Sequence, residues 1–306
     1  AMAPDLDVLI RSDTDPLLFL EYHRQFTHAL VFIPVGAAVA TVLLWPLVRR
    51  RLTLRAAYLA CLLGYATHGL LDACTSYGTQ LLWPFSTARI AWNNVSVIDP
   101  LFSGPLLLGV LTAAWRRRPG FALAGLCWAL AYLALGLVQY HRALDSGREL
   151  AAGRDHEPVR LDAKPGFGNL LIWKIVYQHG EHYYVDAVRT AARVKVCEGE
   201  RIEILDYDRH LPWLAHDSQQ YRDVERFRWF SDDFLGVDPA RPLDVVDMRY
   251  SVVPNTIDPL WGIRLDRTGE PDDHVEFFTD RAGRARQSTG YWDMLVNGRC
   301  YRPMAE

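Results

Sequence analysis

The sequence predicts an α-helical integral membrane domain of about four transmembrane helices, followed by a β-rich α+β domain on the extracytoplasmic side. Three observations carry this. Four long runs without Asp, Glu, Lys or Arg lie in the first 140 of 306 residues, and no such run follows. The charge divides at the same place: residues 1–140 hold ten arginines, no lysine and seven carboxylates, a net of +3, whereas the remainder holds 23 Lys or Arg against 29 carboxylates, a net of -6. From about Pro158 the pattern changes to short alternating stretches rich in β-branched and aromatic residues. Half of the chain is apolar and it holds ten tryptophans, which excludes collagen-like, coiled-coil and wholly disordered classes.

The apolar runs are 29–48, 56–71, 100–115 and 119–140. A helix crossing the hydrocarbon core needs about 20 mainly apolar residues, with roughly 17 as the short limit. The first and fourth runs qualify directly, and the second and third reach the limit with their flanks. Arg49, Arg50, Arg51 and Arg55 fill the first connection and Arg116, Arg117 and Arg118 the third, so seven of the ten arginines lie at one membrane face. The positive-inside rule makes that face cytoplasmic. The opposite helix ends, and everything after His141, then lie outside, in a multi-pass membrane protein. No cleavable signal peptide is visible. The chain runs from Ala1-Met2-Ala3 straight into motif-like sequence, which leaves room for a further segment upstream.

The expected organisation is a membrane domain over 1–140, a charged helix-prone linker over 141–155 and a β-rich soluble domain over 156–306. In the last, 170–177, 182–188 and 245–253 read as strands. Gln178-His179-Gly180-Glu181 is the hairpin turn between the first two. Asp217 to Phe230, with apolar residues spaced among charges, is the helix candidate. Cys61, Cys74 and Cys127 belong to the membrane half, and an oxidising exterior permits a Cys197–Cys300 disulfide. No Cys-x-x-Cys pair occurs, which disfavours a thiolate zinc site.

The chemistry-bearing residues stand at the outer ends of the apolar helices. Pro4-Asp5-Leu6-Asp7 precedes His23-Arg24-Gln25-Phe26-Thr27-His28. His68 and Asp72, four apart, share one face of the second helix. Asp99 stands immediately before the third run. The arginine-derived topology puts all of them at one membrane surface. Ionisable groups at membrane depth are costly, so they are usually paired, hydrated or functional. Three histidines and several carboxylates from separate segments supply the donors a divalent metal requires, zinc first by donor type. A water-accessible site would let the metal activate water and polarise a carbonyl or phosphoryl oxygen. Arg24 could then pair with a substrate phosphate or carboxylate. Each residue also has a structural reading. Asp5 and Asp7 suit turns, His68 and Asp72 suit a hydrogen-bonded pair, and Asp99 before Pro100 suits a helix start. His23 and His28 lie about 140° apart on a regular helix, so they share a site only if the helix begins between them.

These residues resemble a known family. Pro4-Asp5-Leu6-Asp7, His23-Arg24-x-x-Thr27-His28, His68-x-x-x-Asp72-x-x-Thr75-x-x-Gly78 and Leu82-x-Pro84-Phe85 look like the signature of bacterial membrane-bound metal-dependent hydrolases, also labelled LexA-binding, inner-membrane-associated hydrolases. The resemblance covers about residues 4–140. It implies a bacterial inner-membrane protein with a periplasmic C-terminal domain, metal roles for Asp5, Asp7, His23, His28, His68 and Asp72, and hydrolytic chemistry; because the site sits where head groups are, the expected substrate is an ester or phosphoester that is lipid-linked or membrane-proximal. Asp72, Asp99 and Arg24 are the expected catalytic groups, with the general base left open among Asp5, Asp7, Asp72 and Asp99.

The alternative is a non-catalytic membrane scaffold or regulatory protein whose polar cluster knits helices together and whose outer domain binds a protein partner. Regulation of LexA, which the family label implies, ranks last, because that protein is cytosolic and the only large soluble domain is exported. His179-x-x-His182 is a weaker metal spacing, and His210 and His216 fall in loop. Gly166-Phe167-Gly168-Asn169 lacks the continuation of a phosphate loop, and no Gly-x-Ser-x-Gly occurs. The acidic outer domain argues against nucleic acid.

Overall fold

A computed structural model describes residues 1–280 and 282–301. The chain forms two compact units, residues 1–92 and 93–306.

The first unit opens with a 3-10 turn over Pro4–Leu9 and the short helix α1, Leu18–Tyr22. Two more 3-10 turns, Phe26–His28 and Leu30–Phe32, lead into α2, Ile33–Val48. After the arginine loop the hydroxyl of Thr53 accepts from the Ala56 amide and starts α3, Leu54–Ala73. An extended segment follows, closed by a bridge between Thr79 and Ile90.

In the second unit Asp99 caps α4, Pro100–Arg116, accepting from the Leu101 and Phe102 amides with Pro100 as first helical residue. Arg117 ends that helix in the left-handed conformation at φ 54°. The long α5, Gly120–Gly153, follows at once. Leu30–Val48 and α5 are long and apolar enough to cross a membrane, and only 17% and 22% of their most apolar windows are buried. Soluble core helices would be covered; here Leu43, Leu47, Leu123 and Leu130 face outward. α4 is also studded with exposed leucines but has 17 residues, and α3 carries Arg55, His68 and Asp72 within its 20.

The last turns of α5 change character. Ala143, Leu144 and Ala151 are buried against Trp173, Ile175, Tyr177 and Val188, so residues 141–153 are both the end of the apolar helix and one wall of the β domain's core. The sheet they cover is antiparallel, β1 Arg160–Pro165, β2 Ile172–His179, β3 His182–Thr190 and β4 Val194–Cys197 in order, with β5 Arg201–Glu203 also paired to β3. His179 pairs with His182 across a two-residue loop, and Gly180 takes its left-handed position at φ 57°. After α6, Tyr207–His210, and α7, Gln219–Phe230, both capped by side chains of Asp206 and Ser218, comes a second antiparallel sheet. It runs β6 Leu235–Val237, β7 Asp244–Asp247, β8 Trp261–Arg264 and β9 Glu276–Thr279. Val246 and Met248 from this part pack with Val176, Tyr183 and Val185 of the first sheet. The strand expected over 245–253 stops at Asp247, because Asp247 folds back to accept from the Arg249 amide and guanidinium. α8, Ala282–Asn297, closes the domain.

Cys197 and Cys300 form the disulfide that the outer-domain reading permits, closing a separation of 103 residues. Constraining a loop of that length in the unfolded chain stabilises by about 4 to 5 kcal/mol. Reduction, or Cys300→Ser, is therefore expected to lower the thermal midpoint of the β domain, and unchanged melting with and without reductant would refute this.

Candidate metal centre

The site is built within residues 1–92. α1 ends at His23 in extended conformation, and Arg24 takes φ 63°, so the chain turns sharply before the 3-10 turn that carries His28. A non-glycine residue there costs about 1–2 kcal/mol. Two backbone hydrogen bonds offset it: the Arg24 amide donates to Asp7 Oδ2 at 2.9 Å, and its carbonyl accepts from the Gln80 amide at 2.9 Å. The break removes the angular conflict between the two histidines, and both rings now meet Asp7. His23 Nδ1 lies 2.8 Å from Asp7 Oδ1, and His28 Nδ1 3.2 Å from Oδ2.

Asp7 is buried and receives four groups: the two rings, the Arg24 amide and the Thr27 hydroxyl at 2.8 Å. An ionised carboxylate only accepts, so both rings carry a proton on Nδ1. Thr27 is held in turn by Tyr65, whose hydroxyl donates to the Thr27 carbonyl at 2.8 Å. The result aims Nε2 of His28 away from Asp7.

At that point four donor atoms converge, from Asp5, His28, His68 and Asp72, all within 4.8 Å of one another. His28 Nε2 is 3.0 Å from Asp72 Oδ2 and 3.5 Å from Asp5 Oδ1. His68 Nε2 is 3.1 Å from Asp5 Oδ1 and 3.4 Å from Asp72 Oδ2. A tetrahedral zinc ion with bonds of roughly 2.0–2.1 Å separates its ligand atoms by about 3.3 Å. The four measured edges bracket that length. His28 Nε2 and Asp72 Oδ2 are also buried with no hydrogen-bond partner, a costly condition that a cation between them would relieve. The donor set and spacing therefore fit a divalent metal. Among the described residues this is the only group of three or more His, Cys, Asp or Glu drawn so close.

The electrostatics agree in sign. The His28 and then the His68 imidazole hold the Asp5 carboxyl well below the usual range, against burial. Burial pushes Asp7 up, but His23, His28 and the Arg24 amide together hold it far down. Burial opposes protonation of His28, yet Asp5, Asp7 and Asp72 outweigh it and push its pKa up to about 10. The three carboxylates thus favour a positive charge at the His28 ring.

Of the residues expected from sequence, Asp5, His28, His68 and Asp72 form the inner group, while Asp7 and His23 stand behind it. Arg24 is buried and committed. Its Nη1 donates to Thr75 Oγ1 at 2.8 Å and to the Asp72 carbonyl at 3.3 Å, its Nη2 is 3.4 Å from Asp72 Oδ1, and it lies 5.0 Å from the Tyr77 ring centre. That geometry holds Asp72 in place through the Nη atoms, while Nε is buried without a hydrogen-bond partner. Asp99 belongs to the other unit, where Oδ1 caps α4 and Oδ2 accepts from Tyr132 at 2.8 Å. Both oxygens are thus in structural use. Thr27, Tyr65 and Gly69, where a Cβ would come within 2.7 Å of the His28 carbonyl oxygen, are the supporting residues to which sequence reasoning gave no role. Only Thr27, inside the His-Arg-x-x-Thr-His string, carried a signal. His179, the other metal candidate, stacks on His156 with ring centres 4.1 Å apart.

Fold and site together define a protein with two helices long and apolar enough to cross a membrane, a His/Asp cluster in its N-terminal part and a β-rich domain after it. Residues 1–143 match the family model of the YdjM inner membrane protein, which places this chain's similarity with an inner-membrane family. It is similar to Uncharacterized protein YfhP of Bacillus subtilis (strain 168), 26% identical over 258 residues, or 82% of this chain and 75% of that protein. A shorter stretch of 72 residues, 22% of this chain, is 42% identical to Uncharacterized MFS-type transporter YhhS of Escherichia coli (strain K12) but spans 17% of that protein. No solved structure matches the chain.

Proposed function

We propose that the protein is a membrane-embedded, metal-dependent hydrolase that cleaves an ester or phosphoester of a lipid-linked or membrane-proximal substrate at the periplasmic face. The observation that carries this reading is the set of four donor atoms within 4.8 Å of one another, four of their six separations at 3.0 to 3.5 Å and two of the atoms buried and unsatisfied. His28, His68, Asp5 and Asp72 would hold the ion. Zinc is the first choice, as the borderline-soft ion suited to imidazole and carboxylate in a tetrahedron.

When bound, such an ion supplies a Lewis acid for a carbonyl or phosphoryl oxygen and acidifies water. The chain's own residues do the rest. Asp7 fixes the His28 tautomer and ring angle, and Arg24 fixes Asp72. Asp7 and Asp99 have their oxygens committed elsewhere, so Asp5 and Asp72 are the carboxylates left to face an incoming water or substrate. Asp5, with 32% of its side chain exposed, is the more open of the two.

For the topology we propose four spans, α2, α3, α4 and α5, with both arginine loops cytoplasmic. The outward leucines of all four helices and the Cys197–Cys300 disulfide, which persists in oxidising compartments, support it. Reporter fusions at residues 53 and 118 should then read cytoplasmic and one at 306 periplasmic.

Elemental analysis of detergent-purified protein tests the centre. About one divalent ion per chain is expected, lost in the His68→Ala, Asp72→Ala double variant together with any chelator-sensitive esterase or phosphodiesterase activity found on a lipid panel. A metal-free wild type, with the double variant merely less stable, would replace this reading with the scaffold.

A further inference from the structure

In the second unit the β domain buries a lysine. Lys174, on β2, is 3% exposed and lies on the face of the first sheet turned from α5. Its Nζ is 2.8 Å from Ser251 Oγ and 3.0 Å from the Thr256 carbonyl. Both partners belong to the loop that links β7 to β8, some 80 residues further along the chain. Among the described residues no carboxylate forms an ion pair with it, which is unusual for a buried ammonium. Ser251, by contrast, is partly exposed.

From this geometry we propose that Ser251 and Lys174 form a nucleophile–base dyad for acyl transfer, with carboxylic esters as the first substrate class. A serine needs a neutral base in hydrogen-bond reach, and a lysine serves when its surroundings disfavour the ammonium form. Burial does so here, pushing Lys174 down to about 7. The carboxylates that act on it in the other direction are Asp247 at the end of β7, Glu200 before β5, Asp258 in the same loop as Ser251, and Asp186 on β3. Glu200 and Asp258 are themselves pushed up by burial.

The hydrogen bonding allows the required switch. Neutral Lys174 has two N–H groups and one lone pair; one N–H stays on the Thr256 carbonyl. In the structure the Ser251 hydroxyl donates to the Val253 carbonyl at 2.7 Å. That carbonyl also receives the Thr256 amide at 3.1 Å and the Thr256 hydroxyl at 3.0 Å, so it keeps two donors when the serine rotates toward Nζ.

In the reaction, Ser251 Oγ bonds to the substrate carbonyl carbon while its proton passes to Lys174 Nζ. The bond to the leaving alcohol then breaks as Nζ returns that proton to the alcohol oxygen. A water attacks the acyl-serine, giving its proton to Nζ, and Ser251 Oγ departs and takes the proton back. The net change is hydrolysis, with no other reactant. The site is independent of the metal centre.

The test uses the full chain in detergent with a fluorophosphonate probe, which takes the place of the acyl group on a reactive serine, followed by peptide mass analysis. Wild type should carry the adduct on Ser251, with a labelling rate that rises with pH and levels off above an inflection near 7. Ser251→Ala should abolish it, and Lys174→Met should slow it by about 100-fold or more, the usual size of a general-base effect. Absence of a Ser251 adduct in folded wild type overturns the proposal, as does a Lys174→Met variant labelled at the wild-type rate. Should Lys174→Met not fold, the wild-type profile decides: a rate climbing through pH 9 without an inflection shows a structural lysine.

Discussion

Replacing Asp7 by alanine is expected to destabilise residues 1–92 by about 3–5 kcal/mol, the size seen when one partner of a buried ionic network is removed. The side chain is fully buried, and its loss strands the Arg24 amide, the Thr27 hydroxyl and two imidazoles at once. Asp7→Asn should behave differently. Its carbonyl oxygen can replace Oδ2 and keep the Arg24, Thr27 and His28 donors, while its amide faces His23, which can present a lone pair instead of a proton. Most of the stability should therefore remain. What asparagine cannot supply is the negative charge behind His28, and removal of such a partner lowers metal affinity about 10- to 100-fold. Thermal melting and metal titration on the two variants separate the roles. Equal metal affinity in Asp7→Asn and wild type would show that Asp7 only builds the turn.

The contrast between Asp7 and Asp5 marks what the sequence can show. A motif with two carboxylates two residues apart shows that both are near the chemistry. It does not show that a 3-10 turn sends one inward to orient a ligand and leaves the other facing the centre. The same holds for His23 and His28, whose spacing conflicts with a shared site until Arg24 adopts a left-handed φ that no local pattern announces. His68 and Asp72 were legible because helical periodicity alone sets their common face. In the β domain, alternation revealed β2 and β3 and their turn, since both are long and the core side is apolar. The short β5, β6 and β8 have three or four residues each, too few to establish a period. Lys174 illustrates the opposite failure: within Leu170 to Tyr177 it reads as a polar residue on a solvent face, and only the loop carrying Ser251 and Thr256 covers it.

Gly69 supplies the other large effect, and it runs against helix propensity. Alanine in a helix interior is ordinarily better than glycine by about 1 kcal/mol. At Gly69 an added Cβ would lie 2.7 Å from the His28 carbonyl oxygen and 3.5 Å from its carbonyl carbon. Those are backbone atoms, so no rotamer change gives relief, and the turn carrying His28 must move away from α3. His68 is the neighbouring residue on that helix, so the displacement opens the very edge between the His28 and His68 donors. Ligand constellations tolerate about 0.5 Å before affinity falls. Gly69→Ala should therefore weaken metal binding at least tenfold while the helix itself is no less stable. Gly64 is the control, because a Cβ there meets Ala1 at 3.6 Å, an ordinary contact. Gly64→Ala should keep the affinity of wild type. If Gly69→Ala binds as tightly as Gly64→Ala, the close approach of α3 to the His28 turn is not what brings the two imidazoles to one ion.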